Sequence, residues 1–151
     1  LYNQIKLIQN LTTYSILGVP YAGIPFASVI GYKLKIPQLM LRKERKKYGR
    51  KKMIEGNSKN KELILIEDVM TTGKSIIETI DYLNKHGYKI KYVFTIFQRG
   101  VLNYNKFLDR NIQYTYLISQ NLKLNDKIQV QFRDGFAKAE ILSVKKMKNE
   151  K

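Results

Sequence analysis

The chain has 151 residues, 28 of them Lys or Arg against 12 Asp or Glu, a formal charge of +16 and no cysteine. That is enough chain for one domain with a real core, and it excludes a disulfide scaffold, a thiolate nucleophile and a sulfur-ligated metal, leaving oxygen ligands or the single His86 for any ion. No run of about 18 apolar residues is available to span a membrane, so a cytoplasmic protein is expected. The charge favours phosphate-bearing or other anionic ligands without choosing among nucleic acid, small molecules and surfaces.

Leu1, Ile5, Ile8 and Leu11 recur at helical spacing, so residues 1–11 read as a helix. The first residue is Leu rather than Met, from which a fragment or processed product is expected. Residues 14–19 form a short apolar strand that stops at a loop punctuated by Gly18, Pro20, Gly23 and Pro25, with Pro25 suited to the first turn of the helix that follows. A second strand is expected over 36–42. Residues 43–61 lack periodicity and read as a long mobile loop, and a loop of that length inside a compact domain has a function or is disordered. Eight bases and one acid crowd residues 42–52.

A strand over 62–68 has an apolar centre and acids at its far end. The helix 73–87 that follows turns Ile76, Ile77, Ile80 and Leu83 inward, with Gly87 as its C-cap and His86 as a cap or surface group. A strand over 88–97, a short helix over 103–109 and a strand over 112–118 complete the pattern. Apolar strands alternating with helices predict a Rossmann-like open, mostly parallel sheet with helices on both faces. The core is placed at residues 1–121. Residues 122–151 form a basic extension in which Asp134 and Gly135 mark the turn of a possible hairpin.

Gly73-Lys74-Ser75 ends like a nucleotide-binding P-loop, but Asp68 stands where that loop needs its first glycine, so the ATPase reading fails. Glu67 and Asp68 at a strand end, followed by Val69, Met70, Thr71, Thr72, Gly73, Lys74 and Ser75 leading into a helix, suit a ligand with two faces. Backbone N–H groups and hydroxyls would wrap a phosphate monoester at the positive end of the helix. The carboxylates would face vicinal hydroxyls or a bound Mg²⁺. A ribose 5-phosphate has both faces. The bland alternative is that the acids merely finish the strand and Thr72 is an ordinary N-cap.

Leu63 to Ser75 resembles the phosphoribosyl pyrophosphate-binding motif of type I phosphoribosyltransferases. Arg42, Lys43, Glu44, Lys46, Tyr48 and Gly49, with Glu55 and Gly56 beyond, resemble the catalytic loop of orotate phosphoribosyltransferases, and residues 17–27 resemble the same family's Gly-x-Pro-Tyr turn. The resemblance runs from about Tyr14 to Ser119. It implies transfer of ribose 5-phosphate from phosphoribosyl pyrophosphate to orotate, with Mg²⁺ held through substrate near Glu67 and Asp68 and no direct protein metal site. Arg42, Lys43 and Lys46 would be catalytic and, with Tyr48, would bind pyrophosphate; Tyr21, Thr71 and Arg99 would meet the base. Family members usually carry Asp where this chain has Gln98. The resemblance further implies a homodimer with shared active sites, and an N-terminal portion preceding this chain.

A basic loop closing over substrate would stabilise the departing pyrophosphate and exclude water from an oxocarbenium-like ribose. Without the resemblance, enzyme and nucleic-acid binder stay open alternatives, although Tyr48 is the only aromatic within the basic block and base-stacking modules show more. A purine-base transferase or a non-catalytic nucleotide-binding relative is the other alternative.

Overall fold

The computed structural model describes residues 1–42, 53–56, 58–99 and 102–119, and the backbone of Lys127–Phe132 and Gly135–Glu140. The first helix, α1, is Tyr2–Lys6, shorter than the apolar spacing over 1–11 predicts. Asn10 takes a left-handed conformation (φ 51°) and starts a separate 3-10 turn, Leu11–Thr13, fixed by the Thr13 hydroxyl donating to the Asn10 carbonyl at 2.8 Å. A local side-chain bond thus outcompetes helix continuation, as short polar residues do.

Strand β1 is Tyr14–Gly18, helix α2 is Gly23–Leu34 with Pro25 in its first turn, and β2 is Gln38–Leu41. Two residues of the segment expected to be loop, Ile54–Glu55, form β3, antiparallel to β2 with Met40 opposite Glu55 and Leu41 opposite Ile54. Two residues are too few to show any period in a sequence. Strand β4 is Glu62–Met70, α3 is Lys74–Lys85, β5 is Lys89–Gln98, α4 is Asn105–Leu108 and β6 is Gln113–Ser119. Helix α3 stops at Lys85, short of the expected 87, with His86 rather than Gly87 at the C-cap; Gly87 (φ 80°) follows, its N–H donating to the Asn84 carbonyl and the Tyr88 N–H to the Leu83 carbonyl.

The six strands lie in the order β3-β2-β1-β4-β5-β6, and every neighbour pair except β2–β3 is parallel. Both faces are covered. Leu63 and Leu65 of β4 join Ile76, Ile80 and Leu83 of α3 and Phe107 of α4 in one cluster; Ile64 and Ile66 join Ile5 of α1 and Ala27 and Ile30 of α2 in the other. Successive strand side chains point to opposite faces, which is why β4 reads as an unbroken apolar run in the sequence. The observed fold is therefore the predicted mostly parallel sheet with helices on both faces.

Strands β7 (Lys127–Phe132) and β8 (Gly135–Glu140) form a second, antiparallel sheet, the hairpin expected from Gly135; Asp134 lies outside the described residues.

Candidate functional site

Because β1, β2, β4, β5 and β6 run parallel, their carboxyl ends share one edge of the sheet. The chain leaves β1 toward β2 and comes back to lay β4 on β1's other side, so the strand order reverses between β1 and β4. Open α/β sheets bind ligands in the crevice at such a reversal. Neighbouring strands are about 4.8 Å apart, which places the ends of β2 and β5, three strands apart, about 14 Å from one another. The sequence-predicted residues fall along this edge: Tyr21 after β1, Arg42 after β2, Thr71 to Ser75 after β4, and Arg99 after β5.

Strand β4 extends two residues past the expected end at Asp68. Val69 and Met70 pair with Phe97 and Gln98, and the Arg99 N–H donates to the Met70 carbonyl at 2.7 Å. The partner strand β5 runs to Gln98 and carries β4 with it, so Glu67 and Asp68 sit inside the strand rather than at its end. Their environments differ. Glu67 continues the face of Leu65, is 8% exposed and lies near Tyr114, whereas Asp68 is half-buried toward the other face. Val69 is exposed and Met70 is buried in the α3-side cluster.

The turn itself is short. Thr71 and Thr72 are exposed; the N-cap is Gly73 in a left-handed conformation (φ 75°), not Thr72. A side chain at Gly73 would press its Cβ to 2.9 Å from Leu102 as well as strain the backbone. The Thr72 hydroxyl accepts a 3.4 Å bond from the Lys74 N–H, and the Gly73 residue itself makes no side-chain cap. The first turn of a 12-residue helix therefore opens toward the edge with exposed Lys74 and Ser75 and no acid among its residues, an arrangement that favours an anion.

The β1–α2 turn is seated on β4. The Val19 N–H donates to the Ile66 carbonyl at 2.8 Å, and a Cβ on Gly23 would fall on that same carbonyl. A Cβ on Gly18 would fall on the Gly23 carbonyl. Gly23 lets the turn approach the neighbouring strand, and Gly18 lets the turn close on itself. Tyr21, which follows a cis peptide bond, is 64% exposed at the edge.

Arg42 leaves β2 with its N–H donating to the Met53 carbonyl at 2.8 Å and its guanidinium Nε donating to Glu55 Oε1 at 2.7 Å. The bond to Glu55 holds the Arg42 proton even more firmly than usual, and Tyr21 lies close enough to act on the same charge. Lys43, Lys46 and Tyr48, with Glu44 and Gly49, lie outside the described residues. Arg99 is exposed at the end of β5.

Sequence reasoning missed two clusters. One is Arg42 with Glu55, signalled only by opposite charges at the two ends of a basic run. The other surrounds Gln98, 3% exposed, whose side-chain oxygen accepts from the hydroxyls of both Tyr104 and Tyr114 at 3.1 Å. Tyr114 stacks on Phe107, and burial pushes its hydroxyl far above the ordinary tyrosine range. His86 proves to be a capping group, its Nδ1 2.8 Å from the Tyr82 carbonyl. Among the described residues no three Asp, Glu or His side chains gather as a metal site, and no helix is long and apolar enough to cross a membrane.

A parallel sheet with an anion-ready turn at its reversal point, a carboxylate in the strand before it and cations after flanking strands defines an open α/β protein whose candidate site lies along one sheet edge. Residues 4–114 match the phosphoribosyl transferase domain family, and the chain belongs to that family. It is similar to the uridine 5'-monophosphate synthase of Caenorhabditis elegans, 42% identical over 119 residues that cover 78% of this chain and 24% of the relative. It is also similar to the orotate phosphoribosyltransferase of Sulfolobus acidocaldarius, 34% identical over 95 residues, 63% of this chain and 48% of that one. The chain thus spans a quarter to a half of the length of these relatives. The crystal structure of orotate phosphoribosyltransferase from Aeropyrum pernix shares the fold at a TM-score of 0.61 and 20% identity, covering 79% of this chain and 69% of that one.

Proposed function

We propose that this protein is an orotate phosphoribosyltransferase, transferring ribose 5-phosphate from phosphoribosyl pyrophosphate to N1 of orotate and releasing pyrophosphate. The observation that carries the reading is the Thr71–Ser75 turn: it opens the N-terminus of α3 at the β1/β4 reversal, two strand residues beyond Asp68. Relatives named as orotate phosphoribosyltransferase and uridine monophosphate synthase support it.

The turn from Thr71 to Ser75 takes the 5-phosphate, aimed by Val69 and Met70 in the strand. Asp68, with Glu67 behind it, faces the ribose hydroxyls. Arg42, Lys43 and Lys46, with Tyr48, receive the pyrophosphate, and Lys46 is the strongest catalytic candidate. Tyr21, Thr71 and Arg99 meet the base, where a guanidinium can pair with the exocyclic carboxylate of orotate in bidentate geometry. No protein nucleophile is needed, because oriented charge stabilises the leaving group as the anomeric bond breaks.

The donor set fits Mg²⁺ only as an ion carried on substrate oxygens. Adjacent strand positions send Glu67 and Asp68 to opposite faces, so they do not form a cage, and Mg²⁺ ordinarily keeps waters and phosphate oxygens beside one or two carboxylates. When bound, the ion would neutralise charge on the leaving pyrophosphate, with Glu67 and Asp68 nearby. A cytoplasmic homodimer with shared active sites belongs to the same proposal.

Titration of the full chain with phosphoribosyl pyrophosphate tests it. Asp68→Asn should weaken binding about tenfold or more, the scale of a lost charge-assisted hydrogen bond; undiminished binding refutes the site. Lys46→Ala should lower turnover far more than it weakens ground-state binding, and wild-type turnover would remove Lys46 from its role. Pyrophosphate release assayed with a panel of bases decides between orotate and a purine.

A further inference from the structure

The Arg42–Glu55 contact holds a charged fork still at the lip of the proposed site. Strand β3 places Glu55 beside Met40 of β2, one residue pair from the point where Arg42 leaves that strand. Gly56 (φ 111°) then presses so closely on β2 that a Cβ there would come within 2.7 Å of the Gln38 carbonyl and 2.9 Å of the Leu39 side chain. Glu55 is therefore fixed on both sides, and it takes Arg42 by Nε alone at 2.7 Å. The four N–H bonds of the two terminal nitrogens lie at the far end of the same plane, the end that pairs with two oxygens of a phosphate. Arg42 and Glu55 side chains are 36% and 34% exposed. Ion pairs that open to water add little to stability, so the use of a fixed geometry here is orientation.

We infer that Glu55 is a positioning residue for the reaction: it sets the Arg42 guanidinium in the orientation that receives pyrophosphate. This rests on the reading of Arg42 as a pyrophosphate ligand. A long side chain held in its bound geometry loses less freedom on capture and need not reorganise as charge develops on the leaving group.

The test titrates the full chain calorimetrically with inorganic pyrophosphate and with phosphoribosyl pyrophosphate. The variants are Glu55→Thr, which suits a strand but is too short to reach Nε, Glu55→Gln, whose amide oxygen still accepts from Nε, Arg42→Ala, and the double variant Arg42→Ala/Glu55→Thr. Glu55→Thr should weaken both ligands about fivefold or more, the coupling of residues in one network. Glu55→Gln should restore most of that loss, and in the Arg42→Ala background Glu55→Thr should cost nothing further. Binding by Glu55→Thr equal to or tighter than wild type overturns the inference, as does an equal loss in the Arg42→Ala background. Wild-type pyrophosphate affinity in Arg42→Ala removes Arg42 from the leaving-group site and the inference with it. A weakened Arg42→Ala beside an unchanged Glu55→Thr removes the positioning role alone.

Discussion

Two glycines separate two different reasons for lacking a side chain. Gly23 has no positive φ to satisfy, but its Cβ position is occupied by the Ile66 carbonyl. Gly87 has open space around it and a φ of 80°. Gly23→Ala must push the β1–α2 turn off β4 and should cost about 1 to 3 kcal/mol, the range for overpacking. Gly87→Ala should cost about 1 kcal/mol from backbone strain alone, and Gly87→Asn less, because Asn tolerates the left-handed region. Urea unfolding of the three variants checks this, and equal losses for Gly23→Ala and Gly87→Asn would contradict it. Only the second glycine was legible: a Gly after an amphipathic helix is a capping signal, whereas the carbonyl that excludes a Cβ at Gly23 comes from a strand more than forty residues away.

At the level of elements, the apolar runs gave β1, β4 and β5 and the 3.6-residue stripe gave α3, since burial on one face or two leaves a period that a sequence displays. What it does not display is where a partner keeps a strand going. Val69 and Met70 are in β4 because β5 continues alongside, and Ile54 and Glu55 are in β3 because β2 does. The candidate site was legible in the same uneven way. Asp68, the Thr-Thr-Gly turn and Arg99 stand together in local motifs, while the Arg42–Glu55 and Gln98–Tyr104–Tyr114 contacts depend on pairings across the chain. Strand β4 is the shared wall of both clusters, so Leu65→Ala, at a fully buried position, should destabilise the protein by about 2 to 5 kcal/mol. Thermal unfolding measures it, and a loss below about 1 kcal/mol would show that β4 does not hold the two faces together.

Across the whole molecule, charge is the property most exposed to solution conditions. Burial raises the hydroxyl pKa of Tyr14, Tyr114 and Tyr116 above the ordinary value of 10. The folded state therefore holds protons that the unfolded chain releases above about pH 10. The protein should lose stability as pH climbs through and beyond that point, and be insensitive to these groups below it. Ultraviolet titration of phenolate should show a late class that shrinks in Tyr114→Phe; a single transition at the ordinary value would contradict the burial of that hydroxyl.

The order of strands along the edge has an evolutionary corollary. Under the proposed function, the leaving group would be met from the segment after β2, the sugar phosphate from the turn after β4, and the nucleobase from the segments after β1, β4 and β5, each rooted in its own strand. Such a layout would be modular: a lineage could retool the segment after Gln98 for a different heterocycle while the turn after β4, the proposed seat of the ribose phosphate, stayed as inherited.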